Sequence, residues 1–248
     1  MSDFQYKVLI TTSGTGSRLK ELTKNTNKAL VPVAGKATIC RVIDAYPAEV
    51  PIVVTLGYLG GQVKNFLSAT YPNRTIEYAT VDKYEGEGSS LVYSIRCARE
   101  HLQCPFIFHA CDTLVVEPIS EPTRNWIAGF RIERAIEQGM PLAQYRTHKV
   151  ENEKIVKLLD KGVPDFQSIH IGLDGIKDHE IFWATLEEIY KNDPMNQSLS
   201  EVHVLEKMLA DGVLFDWVPY NVWLDTGNLE SLAKTEQYFK DNEPNNGQ

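Results

Sequence analysis

Residues 7–36 read KVLITTSGTGSRLKELTKNTNKALVPVAGK, and this stretch decides the fold. The apolar run Val8-Leu9-Ile10 has the β-branched, continuous character of a buried strand. It gives way at once to small residues, Thr11, Thr12, Ser13, Gly14, Thr15, Gly16 and Ser17. Glycine reaches backbone angles closed to other residues and lets a ligand come close to the main chain. A small-residue loop just after a strand therefore exposes N–H groups that suit phosphate oxygens. Arg18 beside the loop and Lys28 ten residues later add two cations. Together these features predict a polyphosphate site for a nucleoside triphosphate. The stretch is neither of the two commonest phosphate loops: Leu19 stands where the dinucleotide fingerprint has its third glycine, and the P-loop Gly-Lys-Ser/Thr is absent.

Working outward, strand-like and helix-like segments alternate. A helical face over 39–46 ends at Pro47, an apolar strand covers 51–56, and a helix spans 60–67. A strand over 75–81, an amphipathic helix over 89–102 and a strand over 106–110 follow. That order predicts an α/β fold: a Rossmann-like, mostly parallel mixed sheet flanked by helices, with ligands beyond the carboxyl ends of the strands. The Gly14 loop, Gly57, the Glu87-Gly88 turn and Asp112 all follow strands, so they are expected on one rim. The second half is less regular. Pro118, Pro122 and Trp126 lead to a charged helix over 131–137, and strands are expected at 142–148, 154–159 and 168–173. A helix capped at Asp178 and another capped by Ser198 or Ser200 precede a strand-like stretch over 213–223 broken at Pro219. The chain is expected to divide into a nucleotide-binding core (1–117), a smaller α+β lobe completing the sheet (118–227), a helix (228–240) and a polar, disordered tail (241–248).

Two carboxylates are singled out by position. Asp112 ends the apolar run Phe106-Ile-Phe-His-Ala-Cys, and Asp225 ends Trp223-Leu224. A charge at such a place is costly unless it is paired or binds a metal. His109 and His170 lie in apolar strands with no zinc spacing around them and read as structural.

From strand through Ser13-Gly14-Thr15-Gly16-Ser17-Arg18-Leu19 to Asn27-Lys28-Ala29-Leu30-Val31-Pro32-Val33-Ala34-Gly35-Lys36, the sequence resembles the sugar-phosphate nucleotidyltransferases. Asn27 replaces that family's proline before the lysine, and Cys111 stands where glycine is usual. The resemblance implies catalytic roles for Arg18, Lys28, Asp112 and Asp225, with the two aspartates holding Mg²⁺. It implies a base-reading turn at Gly88 and Ser89, facing Thr11 and Ser13. It also implies acceptor contacts from Lys161, in Asp160-Lys161-Gly162, and from Gly172, so that the smaller lobe (118–227) binds the substrate and completes the metal site. The reaction would pass a nucleotidyl group from a triphosphate, CTP being favoured by Lys28-Ala-Leu-Val and Gly57-Tyr58-Leu59, to a phosphorylated sugar or small metabolite of capsule or cell-surface synthesis. A non-catalytic nucleotide sensor of the same fold is the alternative. A glycosyltransferase would want an Asp-x-Asp motif, which Cys111-Asp112-Thr113 does not supply.

Charge narrows the partners. With 25 basic and 33 acidic residues the net charge is −8, which disfavours nucleic acid and anionic membrane as partners. No run approaches the ~20 apolar residues of a membrane helix, and Met1–Phe4 lacks a secretory pattern. The four cysteines, at 40, 97, 104 and 111, have no zinc spacing and are expected reduced in a cytoplasmic protein. Whether the chain forms a homo-oligomer stays open.

Overall fold

The computed structural model describes residues 5–242. Thirteen strands run in chain order as β1 (Lys7–Thr11), β2 (Pro32–Val33), β3 (Lys36–Ala37), β4 (Ile52–Leu56), β5 (Ile76–Thr80), β6 (Phe106–Ala110), β7 (Thr113–Val115), β8 (Trp126–Arg131), β9 (Thr147–Glu151), β10 (Lys154–Leu159), β11 (Ser168–Ile176), β12 (Phe215–Tyr220) and β13 (Trp223–Asp225). The helices are α1 (Thr38–Ile43), α2 (Gly60–Thr70), α3 (Leu91–Cys97), α4 (Ile132–Glu137), α5 (His179–Asn192), α6 (Glu201–Ala210) and α7 (Leu229–Asn242). None is long and apolar enough to cross a membrane.

Nine strands form one sheet in the order β5-β4-β1-β6-β11-β8-β12-β10-β9. The first four are mutually parallel. Their sequences explain this: Ile52-Val-Val-Thr-Leu is buried at every position, as a strand covered on both faces must be. Alternate side chains serve two cores. Val8, Ile10 and Val54 pack on one face with Ile39, Ile43, Val63 and Phe239 of α1, α2 and α7. Leu9, Val53, Phe106 and Phe108 pack on the other with Ile95, Trp183 and Leu205 of α3, α5 and α6.

The chain leaves β1 toward β4 and later returns to β6 on β1's other side. The crevice between β1 and β6 is thus the switch point where open α/β sheets bind ligands. The glycine loop follows β1 and Asp112 follows β6, so topology alone aims both at it.

The second half departs from the expected elements in three places. Trp126–Arg131 is a strand, with its first five residues buried; flanking prolines and a charged successor hid it. Residues 142–144 form a 3₁₀ turn, and the strand begins at Thr147, because Asn152 and Glu153, both with positive φ (49° and 59°), make a tight hairpin that carries β9 to Glu151. Pro219 does not break its strand. It pairs with Gly129 of β8, while β10 meets β12 only at Phe215 and Asp216, so the missing N–H falls on a free edge. The caps also sort out: Ser200 caps α6 through a box with His203, whereas Asp178 gives α5 no side-chain cap bond. Helix α7 runs to Asn242, which makes the first two residues of the expected tail helical; the rest of that tail and Met1–Phe4 lie outside the described residues. No cysteine is in a disulfide.

Candidate active site

The loop after β1 is built from its own small side chains. Thr12 Oγ1 donates to Thr55 O (2.6 Å), and the Thr12 amide donates to Thr55 Oγ1 (3.2 Å), which ties the loop to β4. Ser13 Oγ donates to Ser94 Oγ of α3 at 2.8 Å. Thr11 and Thr12 are buried; Gly14, Thr15 and Gly16 are half-buried and Ser17 is exposed, so the loop surfaces at its tip. Gly16 sits at φ 66°, and a Cβ there would lie 2.9 Å from Lys28 Cβ. Only glycine lets the loop close on the lysine stem.

Asn27, the residue that departs from the family pattern, is fully buried. Its Nδ2 donates to Thr12 O (3.0 Å) and Tyr58 O (2.6 Å), and its Oδ1 accepts from the Ala29 amide (2.9 Å). The Tyr58 amide in turn donates to Ser13 O at 2.9 Å. Asn27 thus clamps the glycine loop, the Gly57-Tyr58 turn and the start of the Lys28 turn. Asn27→Ala strands a buried carbonyl, a half-buried one and a buried amide. It is expected to cost about 2–4 kcal/mol in urea unfolding, with the triphosphate KM rising more than the acceptor KM.

Asp112 and Asp225 meet because β7 and β13 pair, Asp225 opposite Thr113. Thr226 N–H donates to Asp112 O (2.9 Å), which locks the two turns together. Gly227 lies between the carboxylates: a Cβ on it would be 3.0 Å from Asp225 Oδ1, 3.3 Å from Asp112 Oδ2 and 3.0 Å from Arg18 Nη2. The missing side chain leaves a cradle bounded by two carboxylate oxygens and a guanidinium. Lys28 Nζ donates to Asp112 Oδ2 at 3.2 Å, and Arg18 Nη2 lies 3.7 Å from the same oxygen.

The electrostatics separate the two acids. Burial pushes the Asp112 carboxyl up, but Lys28 and Arg18 outweigh it and hold it below the usual range. Burial and the facing Asp112 hold Asp225 above that range. Burial would lower Lys28, yet Asp112 keeps it raised and charged. Asp225, the less compensated of the two, faces Asp112 across the cradle, and together they offer an oxygen donor set suited to a hard divalent cation. Cys111 is buried and its thiol is pushed up to about 12, so it carries no thiolate. His109 is held at about 4 by burial, between Tyr46 Oη (2.7 Å) and Thr113 O (2.9 Å), a neutral structural residue.

The other expected positions are more scattered. Gly172 lies in a bulge of β11 at φ 72°, where a Cβ would be 3.0 Å from Ala110 Cβ; Thr113 Oγ1 donates to the neighbouring Ile171 O, so the bulge touches the Asp112 turn. Gly88 is buried at φ 77°, and Ser89 Oγ donates to Gly86 O (2.6 Å). Ser89 is not the cap of α3; Ser90 is, accepting from the Tyr93 amide. Lys161 is exposed on the turn between β10 and β11, with no hydrogen bond or ion pair among the described residues. Beside Asp225 opens a cavity of about 500 Å³ lined by Met140, Tyr145, Trp223 and Thr235, a size that suits a small organic ligand. Asn27 and Gly227 are the residues that sequence reasoning left out of the site. Asn27 stood inside the quoted motif and Gly227 two residues past Asp225, but their roles depend on neighbours distant in sequence.

No family model matches the chain. Among curated proteins it is similar to the low-salt glycan biosynthesis nucleotidyltransferase Agl11 of Haloferax volcanii, 24% identical over 238 residues, 93% of this chain and 65% of that protein. It is also similar to the bifunctional protein GlmU of Methanococcus vannielii, 21% identical over 94% of this chain and 55% of that one. The chain thus spans between half and two thirds of these relatives' length. Among solved structures, the CTP:phosphocholine cytidylyltransferase LicC of Streptococcus pneumoniae superposes with a TM-score of 0.74 at 19% identity, covering 95% of this chain and all of that one. The inositol-1-phosphate CTP transferase of T. maritima gives 0.71 at 16% identity, over 97% and 98% of the two chains. A UDP-glucose pyrophosphorylase bound to UDP-glucose gives 0.73 at 14%, over 96% and 99%. These likenesses establish the fold. One sequence relative and the first two of these structures are named for nucleotidyl or CTP transfer, in keeping with the sugar-phosphate nucleotidyltransferase family that Ser13–Leu19, Asn27–Lys36, Asp112 and Asp225 resemble.

Proposed function

We propose that the protein transfers a nucleotidyl group from a nucleoside triphosphate to a phosphorylated small molecule and releases pyrophosphate. The observation that carries this reading is the meeting of Asp112 and Asp225 around Gly227, with Lys28 and Arg18 on Asp112, at the mouth of the glycine loop. Residues 1–117 would hold the nucleotide and 118–227 the acceptor. An acceptor phosphate oxygen attacks the α-phosphorus; that P–O bond forms as the α–β bridge breaks and the electron pair leaves on pyrophosphate. The nucleophile is already anionic, so no general base is required, and positioning and charge neutralisation supply the rate. Lys28 and Arg18 neutralise the triphosphate and the departing pyrophosphate. Asp112 and Asp225 would hold Mg²⁺, which when bound adds charge neutralisation and a template. Thr11, Ser13, Gly88 and Ser89 would face the base, and Lys161 and Gly172 the acceptor.

For the base we favour CTP. Lys28-Ala-Leu-Val and Gly57-Tyr58-Leu59 support it, as do two neighbours named as cytidylyl-transferring enzymes. For the acceptor, a phosphate of capsule or cell-surface polysaccharide synthesis agrees with a relative named for glycan biosynthesis. Pyrophosphate release, measured with each of the four NTPs against sugar 1-phosphates, phosphocholine and inositol 1-phosphate, tests all of this. CTP is expected to exceed the other three at least tenfold in kcat/KM with one acceptor class. Equal rates would sink the base preference. Triphosphate binding with no pyrophosphate from any pairing would instead favour a sensor.

A further inference from the structure

Strand β11 carries a second polar cluster that nucleotidyl transfer leaves unused. His170 and Asp174 flank its bulge, and Glu201, the first residue of α6, comes down beside them. His170 Nε2 lies 3.2 Å from Glu201 Oε1, and one donor atom each from His170, Asp174 and Glu201 all fall within 4.8 Å of one another. Asp174 is fully buried, and neither of its oxygens has a hydrogen-bond partner. Glu201 Oε2 is also buried and unpartnered.

Such an arrangement is costly as it stands. Burial pushes the Asp174 carboxyl up to about 7, with His170 offsetting only part of that cost, so its charged form is held there without a single hydrogen-bond donor. Arg146, whose charge acts on His170, is committed elsewhere: it donates to Ser200 Oγ (2.7 Å) and faces Asp160 (3.5 Å). Two carboxylates are left converging on one imidazole. His170 is also held from behind: its Nδ1 lies 3.1 Å from Nε2 of His148 on β9, an imidazole kept neutral by burial that can accept the Nδ1–H, in the position where metal-ligating histidines more usually meet a carboxylate, carbonyl or water. Donors sharing one zinc-like ion stand roughly 3.3 Å apart, close to the His170–Glu201 separation. One nitrogen and two carboxylates suit zinc, manganese or a similar first-row ion, whereas magnesium prefers oxygen alone.

We infer that His170, Asp174 and Glu201 form a second divalent-cation site, for a nitrogen-accepting transition ion, distinct from the Asp112–Asp225 pair. The ion would cross-link the start of α6 to β11. Because the intervening bulge touches Ala110 and Thr113, it would also brace the turn that carries Asp112.

The test uses full-length Asp112→Asn/Asp225→Asn protein, stripped with EDTA, so that the first pair is silent. Equilibrium dialysis with Zn²⁺ is expected to show one equivalent bound, and Co²⁺ should produce a visible d–d absorption. Adding His170→Gln or Asp174→Asn should abolish both, and His148→Phe should weaken Zn²⁺ binding about 10–100-fold without abolishing it. Circular dichroism checks that each variant folds. No stoichiometric Zn²⁺ or Mn²⁺ binding, or binding unchanged by folded His170→Gln, overturns the inference. In that event the cluster is an internal ion-pair network, and Asp174→Asn should raise Tm regardless of metal.

Discussion

Asp225→Asn is expected to lower the transfer rate on the order of 10³-fold while leaving the fold as stable as before, or more so. The rate loss follows from removing half of the proposed metal site, since about 4 kcal/mol of transition-state stabilisation corresponds to ~10³ in rate. The stability follows from the electrostatics. Burial and the facing Asp112 raise the Asp225 carboxyl above its unfolded value. A raised acid favours the folded state only below the unfolded carboxyl range, and that contribution is lost as pH rises through the folded value. At neutral pH an ionised Asp225 therefore works against folding. Asparagine removes the charge and keeps an oxygen for the Gly227 amide, now 2.8 Å from Asp225 Oδ1. Melting curves started in the unfolded carboxyl range, near pH 4, and carried to neutrality without divalent ions should show the variant gaining on wild type as pH rises through the raised folded value. Adding Mg²⁺ should narrow the gap, because an ion bound only by the folded wild type stabilises it. A variant that melts lower yet still turns over would refute both halves of the argument.

Lys28→Met should have the second largest effect. Its ammonium is one-fifth exposed, 3.2 Å from Asp112, and its stem lies against Gly16; methionine keeps the stem and removes the charge. A loss of about 10²–10³ in kcat is expected, the usual cost of removing one donor from a preorganised charge-stabilising site. Stability should fall here. Asp112 is held below its unfolded range by Lys28 first and by Arg18, and Arg18 is 68% exposed. The stability from Asp112 is present above the unfolded carboxyl range and fades as pH drops through the lower folded value. Without Lys28 the two acids face each other with little compensation, so unfolding free energy near pH 7 should drop by about 2 kcal/mol, less than for a fully buried broken pair. The deficit should shrink as pH falls below the unfolded carboxyl range and through the lower folded value of Asp112. Single-turnover rates within threefold of wild type would remove Lys28 from the chemistry.

These variants also show which parts of the protein its sequence could reveal. Val8-Leu9-Ile10 is wholly apolar, and Ile52–Leu56 and Phe106–Ala110 are apolar but for Thr55 and His109; such near-continuous runs suit a parallel sheet covered on both sides, so the α/β order follows from composition and spacing. The glycine loop and strand-end aspartates are local features and were legible for the same reason. Trp126–Arg131 was not, because a short buried run beside prolines has no period to distinguish it. Nor was the way Asn27 clamps two distant turns, or the convergence of Asp112, Asp225 and Arg18 around Gly227. His170 and Asp174 read as one structural histidine and one unremarked acid until α6 set Glu201 between them. Sequence alone determined the elements and the residue types able to meet a triphosphate, since propensity and burial pattern act over a few residues. Tertiary structure alone decided which charges face one another, since that depends on strand pairing and helix docking between segments far apart in the chain.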